Sequence, residues 1–445
     1  MTAVLDTISP LLTTVGAELQ VPLIDGRTTR YVNLDVAASA PALTRVQYAV
    51  LDATPYYSSV HRGSGYLSQV STKRYEDSRS AVRAFTGARS EDLVIFTRNT
   101  TDALNLLASA VPGPVLVLDS EHHANLLPWR RGEVDTVPVQ PTVAETLDEL
   151  TRNLNARHYD LVAVTGLSNV TGEALPLDRV AALAHAFGAR IVVDAAQLIA
   201  HAPVNIADSD IDYLALSGHK LYAPYGSGAL IGRADWLDAA PPYLAGGGAV
   251  RQVERDLVSW TTGPARHEAG SPNALGAIAL AAACEAFGEL DKRVWAEHEA
   301  RLTRRLIDGL GRINGVHIAR LWPDSADPSG IVTFTLAGFT PEVLAAALSA
   351  EYGIGVRDGR FCAHPLLARL RLPAGAVRAS VGVHSSSDDV DRLVSAVAEL
   401  ATHGPRAEYV PDGAGNWVPA DDQRRLPKRL GGGPLTVLPA SPCAL

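Results

Sequence analysis

The chain predicts an α/β fold, with a mostly parallel sheet covered by helices and a smaller α+β unit at the C-terminal side. Two observations carry this. Between about residues 90 and 235, short apolar runs alternate with amphipathic stretches, the pattern that parallel strands joined by crossover helices leave in a sequence. After Pro272 the rhythm changes to long helical patterns followed by more widely spaced strands and helices.

The apolar runs are DLVIFT (92–97), VLVLD (115–119), LVAVTG (161–166), RIVVDAA (190–196), YLALS (213–217) and GALIG (228–232). Each is of strand length and apolar along most of it, which fits burial on both faces. Between two of them, LDRVAALAHAFG (177–188) repeats apolar residues at three- and four-residue spacing. Gly188 suits the left-handed position just past a helix end. From Pro272 to about residue 310 one long helical region is expected. Strand 330–338, helix 340–353, strand 354–359, strand 377–384 and helix 388–404 follow, the last with serines to cap it and acids in its first turn. The expected division is a large unit over 26–290 and a small unit built from 1–25 and 291–404. Residues 405–445, rich in Pro, Gly and charge and without a sustained period, read as an extended surface tail.

Composition removes several classes of function. A net charge of -9 leaves no basic footprint for nucleic acid. No apolar run approaches the length that spans a bilayer, and the N-terminus has neither the basic start nor the apolar core of a secretory signal. A cytoplasmic location is expected. The cysteines at 284, 362 and 443 are odd in number, far apart and without metal-type spacing, so neither disulfides nor a metal site is expected.

Chemistry concentrates where the predicted strands end, the place at which ligands bind in open α/β sheets. SGHKLYAPYGSGAL (217–230) puts Ser217, His219 and Lys220 there, and a lysine with a lowered pKa is an amine nucleophile toward aldehydes. RIVVDAAQ ends a second strand on Asp194, with Gln197 three residues on; a carboxylate buried at that point needs a cation. In FTRNTTDALNLLA (96–108), Thr100 and Thr101 fall at a helix start, where free N–H groups and the helix dipole form a phosphate cup. His122, just past a fourth strand, offers a flat ring. Singly, these are ordinary loop, cap and surface residues. Four strand ends bearing an amine, a carboxylate, a phosphate cup and an aromatic face are not ordinary together.

Over about residues 30–402 the chain resembles the class V aminotransferase family, fold-type I enzymes that use pyridoxal 5′-phosphate (PLP). It is most similar to the branch of SufS-like cysteine desulfurases and selenocysteine lyases. The matching stretches include YVNLDVAASAP (31–41), VHRGSGYLS (60–68), EHHANLLPW (121–129), LSNVTGEALPL (167–177), VDAAQ (193–197), SGHKLYAP (217–224), RHEAGSPN (266–273), VRDGRFCAHPL (356–366) and VRASVGVH (377–384). The resemblance implies that Lys220 bonds the cofactor aldehyde and moves the substrate Cα proton. Asp194 meets the ring nitrogen, Gln197 the phenolic oxygen and His122 the ring face. Thr100, Thr101, Ser217 and His219 hold the phosphate, with Ser271 reaching it from a neighbouring subunit of a homodimer. Asn169 lies against cofactor and substrate, Arg378 and Arg357 take the substrate carboxylate, and His61 joins the substrate side.

Cys362 decides the reaction type that the resemblance implies: its thiolate takes sulfur from L-cysteine or a cysteine-like amino acid, alanine is released, and a sulfur-acceptor protein or small thiol follows. Here Arg360 and Phe361 stand where family members often carry imidazoles, and the chain after residue 404 is extra. C–S lyase, selenocysteine lyase and aminotransferase chemistry remain the alternatives on this scaffold. A non-catalytic docking scaffold for sulfur carriers is the alternative of another class.

Overall fold

The computed structural model describes residues 7–435; Cys443 and the first and last few residues lie outside them. A seven-stranded sheet dominates the first two thirds of the chain. Its strands are β1 (Leu93–Thr97), β2 (Val115–Leu118), β3 (Val134–Val137), β4 (Leu161–Thr165), β5 (Arg190–Asp194), β6 (Tyr213–Ser217) and β7 (Gly228–Gly232). They lie in the order β1-β7-β6-β5-β4-β2-β3. The pairs β6–β5, β5–β4, β4–β2 and β2–β3 are parallel, whereas β7 runs antiparallel to both β1 and β6. Strand β3, with its alternating VDTV, escapes a search for continuous apolar runs because it is a half-exposed edge.

Register brings the functional strand ends level. Thr165 at the end of β4 pairs with Asp194 at the end of β5, and Asp194 with Ala215, two residues before the end of β6. Helix α1 (Tyr66–Thr86) contacts the sheet through β1. Helix α2 (Thr100–Ala108) follows β1, and α3 (Leu177–Ala186) precedes β5 with Gly188 at φ +78° just beyond it.

The expected single helical region after Pro272 is two helices, α4 (Ala274–Gly288) and α5 (Lys292–Gly311). Asp291 breaks them apart: its side chain accepts the N–H groups of Arg293 and Val294 and starts the second helix. Helix α4 is apolar all round and almost wholly buried, while α5 is amphipathic.

A second sheet, all antiparallel, runs β8-β9-β11-β10, from β8 (Val316–Ile318), β9 (Ile331–Leu336), β10 (Arg357–Gly359) and β11 (Ala376–Ser380). The expected strand 354–359 divides at Val356. Ile354 and Gly355 pair with Val32 and Asn33, and only Arg357–Gly359 joins this sheet. Helices α6 (Pro341–Tyr352), α7 (His364–Arg369) and α8 (Ser387–His403) complete the region. Its core, including Leu306, Phe334, Leu348, Val377 and Leu393, also takes in Ile8, Val32 and Leu34 from the start of the chain.

Past residue 404 the chain is more ordered than its composition suggests. A hairpin of β12 (Tyr409–Pro411) and β13 (Trp417–Pro419) packs on α6. Buried Glu351 accepts the Tyr409 hydroxyl at 2.9 Å and the Arg406 amide at 3.0 Å. Among the described residues no helix is long and apolar enough to cross a membrane, and no cluster of side chains is arranged to hold a metal ion.

Candidate active site

The carboxyl ends of β4, β5 and β6, the start of α2 and the loop after β10 enclose a cavity of about 390 Å³. Of the residues singled out in the sequence, Lys220, Asp194, Gln197, His122, Thr100, Thr101, Ser217, His219, Asn169, Arg357, Arg378 and Cys362 all line it. His61 and Ser271 do not. The His61 ring pairs with Glu76 at 3.0 Å beside a separate cavity bordered by Gly270 and Pro272.

Each side chain is placed by its backbone. Gly218 brings His219 and Lys220 round a tight turn, its N–H donating to Ser227 O at 2.7 Å; a Cβ there would lie 2.6 Å from that oxygen. Ser217 Oγ accepts the Thr100 amide at 2.8 Å and lies 2.8 Å from Thr100 Oγ1, tying the end of β6 to the start of α2. Asn99, which caps α2 through the Asp102 amide, shares the cavity wall. Nine residues of helix point their dipole and first N–H groups at the space.

Electrostatics favour aldehyde chemistry. Burial lowers the Lys220 pKa to about 8, assisted by the Arg378 charge and opposed by Asp194 and Cys362. Burial raises Asp194, with the Ala196 amide at 3.0 Å and the Lys220 charge opposing. Burial also pushes His122 down to about 3 and His219 to about 4, the Lys220 charge adding to both. Neutral His122 accepts the Ala124 amide on Nδ1 at 3.0 Å, which fixes the ring. Behind it Glu121, raised to about 8 by burial, accepts Thr165 N and Asn125 Nδ2 at 3.0 and 2.7 Å. Glu121 is a supporting residue that the sequence did not single out; it looks like any acid beside a histidine pair.

Cys362 lies in the loop between β10 and α7, and Phe361 and Cys362 both have left-handed backbones at φ +53° and +51°. Asn169 Nδ2 donates to Phe361 O at 2.9 Å and His123 N to Cys362 O at 2.9 Å. These bonds hold two strained residues that would otherwise relax. By contrast, Cys284 is buried in α4 and its thiol is pushed far above its usual pKa, so it stays an inert thiol.

The aminotransferase class V family model matches residues 32–393. The chain belongs to the class V aminotransferases. A probable cysteine desulfurase of Vibrio cholerae is 35% identical over 384 residues, covering 82% of this chain and 92% of that protein. A cysteine desulfurase of an Enterobacter species is 35% identical over 395 residues, 84% and 95% of the two chains. Among solved structures, the Escherichia coli cysteine desulfurase CsdA is 34% identical with a TM-score of 0.74 and covers 82% of this chain and 94% of its own. An apo cysteine desulfurase of Thermococcus onnurineus is 32% identical with a TM-score of 0.78, covering 84% and 95%.

As a class V aminotransferase of this kind, the protein is a PLP-dependent enzyme, and its own residues fit that cofactor. A carboxylate destabilised by burial waits for a cationic ring nitrogen. A helix start with two threonines suits a phosphate, and a lysine of lowered pKa suits an aldehyde. The lowered pKa makes a prediction for the apoenzyme. Only the neutral amine captures an aldehyde, so the rate of PLP capture should rise with pH and level off above about pH 8. An ordinary lysine would keep gaining to about pH 10.4. Stopped-flow absorbance on apoenzyme between those limits checks this; a rate still climbing above pH 9 (about one unit beyond the plateau) would contradict it.

Proposed function

We propose that the chain is a PLP-dependent cysteine desulfurase that takes sulfur from L-cysteine onto Cys362 and releases alanine. The observation that carries this is a thiol and a buried lysine facing one cavity, with a carboxylate and an arginine in the same walls. Bound PLP supplies an aldehyde that captures amines and a ring that stores electrons drawn from the substrate Cα.

Asp194 would hold the ring nitrogen. Gln197, oriented by its bond to Ala37 O at 2.7 Å, would meet the phenolic oxygen. His122 would cover one face, with Thr100, Thr101, Ser217 and His219 on the phosphate. Arg378, helped by Arg357 and Asn169, would take the substrate carboxylate in a charge-assisted fork. Lys220 accepts the Cα proton once its amine is free, a task suited to a pKa of about 8. The positive charges of Lys220 and Arg378 favour the Cys362 thiolate. That thiolate forms an S–S bond with the substrate sulfur while the Cβ–S bond breaks. The electron pair of the broken bond passes to the carbon skeleton, which leaves as alanine after protonation. An acceptor thiolate, on a protein or a small molecule, then takes the outer sulfur and releases Cys362.

We extend the proposal to a homodimer in which His61 and Ser271 serve the neighbouring subunit's cavity. Their exclusion from the cavity of their own chain supports this, as do exposed Tyr56, Tyr57, Tyr66, Val253 and Leu257. A cytoplasmic setting suits a working thiol.

Product analysis tests the reaction. Holoenzyme given L-cysteine should yield alanine and a persulfide on Cys362, read by amino-acid analysis and peptide mass spectrometry. Pyruvate and ammonia as the main products would establish β-elimination in its place.

A further inference from the structure

Arg378 comes from the middle of β11 and is only 3% exposed, yet it faces the cavity. Its guanidinium is held on several sides. Nη1 donates to Asn169 O at 2.9 Å and Nη2 to Asp35 Oδ1 at 3.2 Å. The group also lies 5.3 Å over the Phe361 ring, while its Nε–H is buried without a hydrogen-bond partner. A substrate carboxylate that turns to this arginine therefore meets a cation already paired with a carboxylate.

Asp35 has little freedom to withdraw. It follows the short strand Val32–Asn33, its N–H donates to Asn33 Oδ1 at 3.1 Å, and its backbone bridges to Ser380. Five N–H donors let one guanidinium serve two carboxylates, but the second arrives against the charge of the first.

We propose that Asp35 is a specificity-determining positioning residue: it aims and neutralises Arg378 before substrate enters, then competes with the substrate α-carboxylate for that guanidinium, and so sets how tightly amino acids bind. The inference rests on the reading of Arg378 as the carboxylate-binding group. It gives Asp35 a defined effect on one functional group of the ligand and none on the rest.

Asp35→Asn keeps an oxygen for Nη2 and removes the competing charge. The test is calorimetric binding to holoenzyme of L-alanine and of cysteamine, which has the amine and sulfur of cysteine but no carboxylate. Alanine should bind about tenfold tighter to D35N, as expected for removal of a like charge at a shared site, with cysteamine unchanged. No tightening of alanine, or equal shifts for both ligands, would overturn the inference and leave Asp35 a merely structural residue.

Arg378→Lys separates the two levels. If it leaves alanine affinity intact, the reading of Arg378 fails and the inference falls with it. If it weakens alanine while D35N fails to tighten it, only the role of Asp35 fails.

Should D35N not fold, the unmodified enzyme still decides. Burial holds Asp35 above the usual aspartate range against the pull of Arg378 and Arg357. Alanine affinity relative to cysteamine should then rise as pH falls and Asp35 takes up a proton. A flat ratio overturns the inference. Tyr31 and Asp358 are the other titratable groups that sense this charge. Tyr31 stays protonated throughout, and a slope that disappears in Asp358→Asn belongs to Asp358.

Discussion

Lys220→Ala is expected to lower kcat on L-cysteine by about 10⁴-fold, the upper end of what a positioned acid–base group supplies. Lys220 is the lysine in the cavity wall, and the other bases there are unsuited to its task. His122 has its Nδ1 occupied by the Ala124 amide and is held far below neutrality, and Asp194 is the residue proposed for the ring nitrogen. PLP should still bind, more weakly, through the phosphate cup and Asp194, with a changed visible absorbance. Arginine at 220 should not rescue turnover, because a guanidinium does not release its proton, whereas added methylamine should restore part of it. Turnover within tenfold of the unmodified enzyme (a loss below about 1.4 kcal/mol) would mean that another group moves the proton.

Cys362→Ala is the second large effect. Alanine formation from L-cysteine should fall by at least about 10³-fold, on the scale at which loss of an attacking nucleophile acts. The PLP absorbance should stay as it was and the affinity for L-alanine should change little, because the phosphate cup is tied together by Thr100 and Ser217 and the Arg378 guanidinium is held by Asn169 and Asp35. Cys362→Ser should behave alike, a hydroxyl being far less nucleophilic than a thiolate. Persistent sulfur release from the alanine variant, with pyruvate in place of alanine, would assign the chemistry to elimination. Cys284 cannot stand in for Cys362, since burial in α4 leaves its thiol protonated.

The central sheet was legible because six of its strands are short, apolar and bounded by turn residues, and local pattern suffices for strands buried on both faces. The same reasoning passed over β3, whose exposed edge alternates. It also joined α4 to α5, because Asp291 looks like any charged residue until its side chain is seen to cap two amides. The hairpin after residue 404 was hidden by composition: its anchor is Glu351 on another helix, a contact that no local period records.

Within the cavity, the residues at strand ends were readable from position alone, since the sheet delivers them to one place. Asp35 and Glu121 were not, because their work is to support Arg378 and the His122 loop from behind. His61 and Ser271 carry motif resemblance yet lie outside the cavity of their own chain.

The two left-handed residues at 361 and 362 make the Cys362 thiol a fixed mooring and not a swinging arm. Asn169 and His123 fasten its backbone on either side within two residues. On the proposed sulfur chemistry, a tether that short cannot ferry cargo outward, and an acceptor has to reach inward. Its reactive tip must be slender enough to pass the cavity mouth.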